Sequence, residues 1–274
     1  MTTEPPGGAG PAGAPQPAGD PPEGPSPAEN PPEPAEEGRH CRAVGPVGAR
    51  RAPANAESAD GPQFGRPGQE PLDVLVLAGG TGRRLGGVSK PDVVVAGARM
   101  IDHVLAGVRS LRGSRIGPGR TVVVAPAQVR LPAWAGRALE DPPLGGPVAG
   151  IGAGLVELAR LAAAAGGRPA ALTAVLTCDA PQCWQALPSL LARILSVSEL
   201  EGACAQDESH RQYLLGIYRT GALNRAVAPG GRVLRDVAVR RALAGLEVQA
   251  VDLGSRAAAV QDLDTWESIR AWRP

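Results

Sequence analysis

The sequence predicts a three-layer, Rossmann-like α/β domain with a mainly parallel sheet, preceded by a long tail that takes no part in the core. Three observations point there. Short β-branched runs alternate with stretches of helical spacing, the pattern of a parallel sheet covered by helices. The first such run ends in the glycines Gly79, Gly80 and Gly82, and open α/β sheets bind ligands where their strands end in such turns. Finally, the composition changes near residue 70, before which Pro, Gly, Ala and Glu crowd the chain, as in Pro31-Pro32-Glu33-Pro34.

A segment so poor in branched aliphatic residues cannot bury enough apolar surface to offset its ordering entropy. Residues 1–70 are therefore expected to be a disordered tail, and residues 71–274 have the size of one domain. Within it, residues 73–77 read as a strand, and residues 100–110 as a helix through Ile101, Val104, Leu105 and Val108. Residues 121–125 make a second strand, 147–165 a small-residue helix, 171–177 a third strand and 184–196 another helix. Beyond these the pattern weakens. Strands are expected at 213–218 and 248–253, helices at 233–246 and 265–272, with Asp264 or Thr265 capping the last.

Charge and composition narrow the partners. A formal net charge of +1 and 3% aromatic residues offer neither the basic face nor the stacking rings of a nucleic-acid binder, so a small molecule is the expected partner. The opening Met1-Thr2-Thr3-Glu4 has neither a basic start nor an apolar core, which argues against a secretory leader. The Ala/Leu-rich run near Leu155 carries Glu157 and Arg160, which argues against a membrane span. Cys41, Cys178, Cys183 and Cys204 show neither a CxxC pair nor zinc spacing with histidine, so free thiols in the cytoplasm are expected.

The chemistry concentrates after the first strand, in Leu77-Ala78-Gly79-Gly80-Thr81-Gly82-Arg83-Arg84-Leu85-Gly86-Gly87-Val88-Ser89-Lys90. Glycines let backbone N–H groups approach a phosphate with no Cβ in the way. The P-loop ending Gly-Lys-Ser/Thr is missing, and the dinucleotide fingerprint would need glycine where Leu85 stands. Lys90 is the only lysine in a chain that otherwise uses arginine, and a compact ammonium suits close approach to a phosphate oxygen. Further on, Asp179 ends a buried strand and can be either a magnesium ligand or a helix cap. Asp141 precedes a Gly-Pro turn that opens a helix; Asp262 and Asp264 alternate, and can complete a metal site or cap the last helix.

These segments together resemble the molybdenum cofactor guanylyltransferases. The resemblance runs through the glycine turn, Glu140-Asp141-Pro142-Pro143-Leu144-Gly145-Gly146-Pro147-Val148-Ala149-Gly150-Ile151, Leu176-Thr177-Cys178-Asp179-Ala180-Pro181 and Asp262-Leu263-Asp264-Thr265, in the family's order. His210-Arg211-Gln212-Tyr213-Leu214-Leu215-Gly216 is similar to the family's acceptor-side segment. Ser89 stands where an Asp is common, Ala125 where some relatives carry Asn, and Trp266 where a Pro usually follows the closing Thr. What the resemblance implies is a nucleotidyltransferase that moves GMP from GTP to molybdopterin and releases pyrophosphate. Gly79, Gly80, Arg84 and Lys90 would hold the phosphates, Leu77, Ala78 and Asp141 the nucleoside, and Asp179 the Mg2+; Asp264 is the further metal ligand expected if it does not cap the last helix. Arg84, Lys90 and Asp179 would carry the catalysis. The alternatives are a cytidylyltransferase or sugar-phosphate nucleotidyltransferase of the same fold, and a non-catalytic nucleotide-binding protein.

Overall fold

β1 (Leu72–Leu77) is buried at every position but its last in the computed structural model, which describes residues 70–80, 85–208 and 210–273. A run buried on both faces belongs in the middle of a covered sheet. Its neighbours are β4 (Thr121–Val124) and β6 (Leu172–Thr177), both parallel to it. β5 (Gly136–Ala138) extends the sheet beyond β4. On the other side come β8 (His210–Arg219), β7 (Gly202–Asp207) and β9 (Val248–Asp252), so the order of the seven strands is β5-β4-β1-β6-β8-β7-β9. Only β8 runs against the rest, which makes the sheet mainly parallel, as the sequence predicts.

Alternation along β1 feeds two separate cores. Leu72, Val74 and Val76 pack under α1 (Met100–Leu111) and α3 (Leu187–Ser196), through residues such as Val104 and Leu190. Leu75 faces the opposite layer, α2 (Gly146–Ala164) and α4 (Thr220–Val227), through Ile151, Leu155 and Leu223. α2 can lie tight on the sheet because of Gly154, where an added Cβ would come within 2.8 Å of Leu75. By length and hydropathy α2 could cross a membrane, yet it packs on the sheet and keeps the Glu157–Arg160 ion pair on its outer side.

The structure departs from expectation in its short strands and in two helical stretches, one of them α4, which goes unannounced. Four short strands go unannounced: β5, β7, and the two of the small hairpin, β2 (Val94–Val95) and β3 (Ala98–Arg99). β7 carries Gly202-Ala203-Cys204-Ala205, residues of low strand propensity, and is a strand because it is paired on both sides. The helix expected over 233–246 is helical only at α5 (Val239–Ala242). Ahead of it, Val233 packs over Gly152, Asp236 adopts φ 56°, and the Asp236 N–H donates to Gly145 O at 2.8 Å. Contacts to the start of α2 thus override the helical spacing. The last helix, α6 (Trp266–Ala271), forms where expected, and Thr265 is its cap, accepting from the Ser268 N–H at 3.1 Å. A third small core of Leu85, Val93, Val95, Met100, Leu263, Ile269 and Trp272 ties this C-terminal segment to the one carrying Lys90. The expected tail, apart from Glu70, lies outside the described residues.

Candidate active site

Parallel pairing brings the two motif-bearing strand ends side by side. Leu77 of β1 is opposite Thr177 of β6, and the Cys178 N–H still donates to Leu77 O at 3.0 Å. The next residues of each strand, Gly79-Gly80 and Asp179, therefore emerge together at the carboxyl edge of the sheet. Gly80 has φ 137°, in the region that favours glycine, so the turn needs that residue type there. Asp179 is not a helix cap: the N-caps that follow it are Gln182 and Ala186.

Lys90 opens the 3-10 turn Lys90–Asp92 and points back at this edge. Its Nζ donates to Asp179 Oδ2 at 3.0 Å and also to Asp264 Oδ1. Burial alone would lower the Lys90 pKa, but the two carboxylates outweigh it and hold the ammonium above its ordinary value. Asp264 reaches the lysine because its neighbour Leu263 is fully buried and donates its N–H to Asp179 O at 2.8 Å. Asp262 lies on the other side of Leu263; burial, then the charges of Asp179 and Asp264, push its carboxyl up to about 6. Asp179 Oδ1 is buried and has no hydrogen-bond partner among the described residues. Cys178 adjoins this cluster, but its thiol, like that of Cys183, is pushed well up by burial and then by Asp179, so neither is poised as a nucleophile.

A cleft of about 440 Å3 opens over these groups, walled by Leu77, Val124, Leu144 and Leu214 and reaching the start of α2 at Gly146. Gly79, Gly80, Lys90 and Asp179 line it as well, and Glu140 supplies a further carboxylate. Glu140 Oε1 accepts from the Leu144 N–H at 3.0 Å, which fixes the turn before α2. A smaller pocket of about 270 Å3 shares Thr177, Asp179 and Leu214 with the cleft and is bounded beyond them by Arg211, Tyr213 and Asp262. A larger concavity, about 630 Å3, lies at the opposite sheet edge near Arg112 and Trp134, far from every motif of the sequence, so volume alone does not locate the site.

This arrangement can be set beside known proteins. Residues 74–250 match the MobA-like NTP transferase domain. The chain is 32% identical over 187 residues to a molybdenum cofactor guanylyltransferase of Pseudomonas putida, covering 66% of this chain and 90% of that protein. The fold is shared, at TM-score 0.50 and 20% identity, with a molybdopterin-guanine dinucleotide biosynthesis protein A from Archaeoglobus fulgidus, covering 73% of this chain and 95% of that one. It is shared equally, at TM-score 0.50 and 14% identity, with a 4-diphosphocytidyl-2C-methyl-D-erythritol synthase, covering 74% and 96%. The chain belongs to the MobA-like NTP transferase family. It is a nucleotidyltransferase.

In this MobA-like transferase the cleft collects Leu77, Gly79, Gly80, Lys90 and Asp179, and Asp264 joins through Lys90. The Ala78 side chain is buried in the core beside β1, which leaves only its backbone for a ligand. Asp141 is exposed, and its neighbour Glu140 is the one that lines the cleft. Arg84 lies outside the described residues. Sequence reasoning singled out neither Glu140 nor the walls Leu144 and Leu214; the adjacent Glu-Asp pair was the available signal, and turn geometry decides which of the two faces inward.

The carboxylates suit a hard cation. Magnesium takes one or two protein carboxylates together with phosphate oxygens and water, and Asp179 and Asp264 supply such a pair, with the unpartnered Asp179 Oδ1 among its oxygens. No cluster of three or more metal-binding side chains occurs among the described residues, so substrate and water would fill most of the coordination shell.

Proposed function

We propose that this nucleotidyltransferase moves GMP from GTP to molybdopterin, forming the guanine dinucleotide of the cofactor and releasing pyrophosphate, with Mg2+ as its metal. The observation that carries this reading is the meeting of Lys90 and Asp179 beside the Gly79-Gly80 turn, inside a cleft of nucleotide size. It is supported by the guanylyltransferase names of the relatives, which do not favour cytidylyl or sugar-phosphate transfer or a silent binding protein.

Within the cleft, the Gly79 and Gly80 backbone and the Lys90 ammonium receive the phosphates, and the amino end of α2 adds its positive dipole end. Arg84 joins them by family resemblance. Leu77, Val124 and Leu144 enclose the base, with the Ala78 backbone alongside. The Glu140 carboxylate can accept from the adjacent N1–H and N2–H of guanine, a donor pair that cytosine lacks. Asp141, exposed next to Glu140, is left for the ribose. Asp179 and Asp264 would hold the Mg2+, which when bound neutralises charge on the triphosphate.

The acceptor's place is the adjoining pocket, with Arg211 at its mouth. A terminal phosphate oxygen of molybdopterin attacks the α-phosphorus, the bond from that phosphorus to the α–β bridging oxygen breaks, and pyrophosphate leaves with the electron pair. The attacking phosphate is already a competent nucleophile, so the chain's work is positioning and charge compensation. What supports a soluble, cytoplasmic enzyme is the set of free, buried thiols Cys178, Cys183 and Cys204.

The test is pyrophosphate release from each of the four common NTPs with Mg2+ and molybdopterin. Release with GTP, at least about tenfold faster than with CTP, is expected. Equal rates with CTP would overturn the base assignment, and no release with any NTP would overturn the reaction.

A further inference from the structure

Lys90 is usually the residue one would assign to the phosphates, yet here its ammonium donates to two carboxylates that come from distant parts of the chain. Asp179 stands at the end of β6, and Asp264 precedes α6. A third carboxylate, Asp262, lies close by. The ammonium thus sits where a divalent cation shared by Asp179 and Asp264 would sit, and the two cations cannot both be there.

We propose that Lys90 is a place-holder for the metal: its ammonium bridges Asp179 and Asp264 until the triphosphate draws it away, and only then do the carboxylates turn to the divalent cation. This rests on the nucleotidyl-transfer reading given above. Lysine suits the exchange because it is a compact point charge on a flexible four-carbon stem. The Lys90 side chain lines the same cleft as Gly79 and Gly80, so phosphates on that turn and the two carboxylates lie within the sweep of one side chain. A single ammonium also leaves Asp179 Oδ1 buried and without a hydrogen-bond partner among the described residues, an oxygen that a metal shell can use. The consequence is linkage: nucleotide and metal must each tighten the other, by the same factor. Metal alone is held off, because it has to displace a paired lysine.

The test is Mn2+ binding to the full-length protein, followed by the electron paramagnetic resonance of the free ion, with and without GTP and with no acceptor present. Without nucleotide, Lys90→Met is expected to bind Mn2+ about tenfold or more tighter than the wild type, since a charged hydrogen-bonded competitor is gone. GTP is expected to tighten Mn2+ strongly in the wild type and less in the variant. Arg211→Met, which removes a positive charge from the pocket that Asp179 and Asp262 also line, is expected to change Mn2+ affinity by less than about threefold. If Lys90→Met binds Mn2+ no better than the wild type, or Arg211→Met tightens it as much, the place-holder role is wrong while the transferase reading stands. If neither protein binds Mn2+ even with GTP, the metal assignment itself fails and takes the inference with it. Should Lys90→Met not fold by circular dichroism, Lys90→Gln serves in its place. A second readout needs no mutation: as Lys90 is the only lysine, a lysine-selective 13Cε label gives one resonance. It is expected to shift when GTP and Mg2+ are added, and an unmoved resonance would overturn the exchange.

Discussion

Two aspartates at opposite edges of the sheet are used in opposite ways. Asp73, near the amino end of β1, is fully buried, and each of its oxygens accepts from a backbone N–H, that of Arg120 at 2.7 Å and that of Ala170 at 2.8 Å. It staples together the segments leading into β4 and β6. Nearby, Arg112 donates to the carbonyls of Leu72 at 2.6 Å and Gly117 at 2.8 Å. Asp179, at the carboxyl edge, shares one oxygen with the side chain of Lys90 and leaves the other buried without a partner among the described residues. A charge held by fixed backbone groups stabilises one structure; a charge held by another side chain can change partners. The second aspartate lines the cleft shared with Gly79, Gly80 and Lys90, whereas the first borders a separate concavity at the amino edge of the sheet.

That contrast can be broken by substitution. The largest effect is expected for Asp179→Asn, which keeps shape but removes the charge: pyrophosphate release should fall about a hundredfold or more, equivalent to roughly 3 kcal/mol of barrier. Its melting temperature should stay within about 2 °C of the wild type, because an already under-partnered group is altered. Near-normal turnover in this variant would remove Asp179 from the metal site.

Asp73→Ala should do the reverse. It takes the acceptors from two part-buried N–H groups and is expected to cost about 2–5 kcal/mol, seen as a drop of about 5–15 °C in thermal unfolding, with turnover of the folded protein nearly unchanged. An unaffected melting temperature would mean that the staple is dispensable. The smallest effect is expected from removing residues 1–68, whose composition offers no apolar anchor; both melting temperature and turnover should stay close to those of the full chain. A loss of several degrees would show that the tail contributes to the core after all.

The strand ends and the glycine turn are legible in the sequence, because they depend on local runs. A β-branched segment closing in Gly79-Gly80 and another closing in Asp179 have only one geometry available if both belong to a parallel sheet. Glu140 was not legible. The sequence offers Glu140 and Asp141 side by side, and which carboxylate turns inward depends on the path taken up to Leu144 and α2. The helix expected over 233–246 failed for a related reason: its apolar spacing is real, but Val233 and Asp236 are claimed by contacts with Gly152 and Gly145 of another segment.

By itself, then, the sequence determined the class of the domain, the edge of the sheet on which chemistry gathers, and the singular lysine, since strand runs, glycine turns and residue counts act over a few neighbouring positions. Only the tertiary structure decided that Lys90 lies between Asp179 and Asp264, residues 89 and 174 positions away. Asp264 could equally have capped α6; Thr265 takes that duty and leaves the carboxylate to the lysine. What places it there is burial, as Leu263 and Trp272 pack with Leu85 and Met100 in a small separate core. Apolar packing between segments far apart in the chain carries no local signature, and it sets which charges meet.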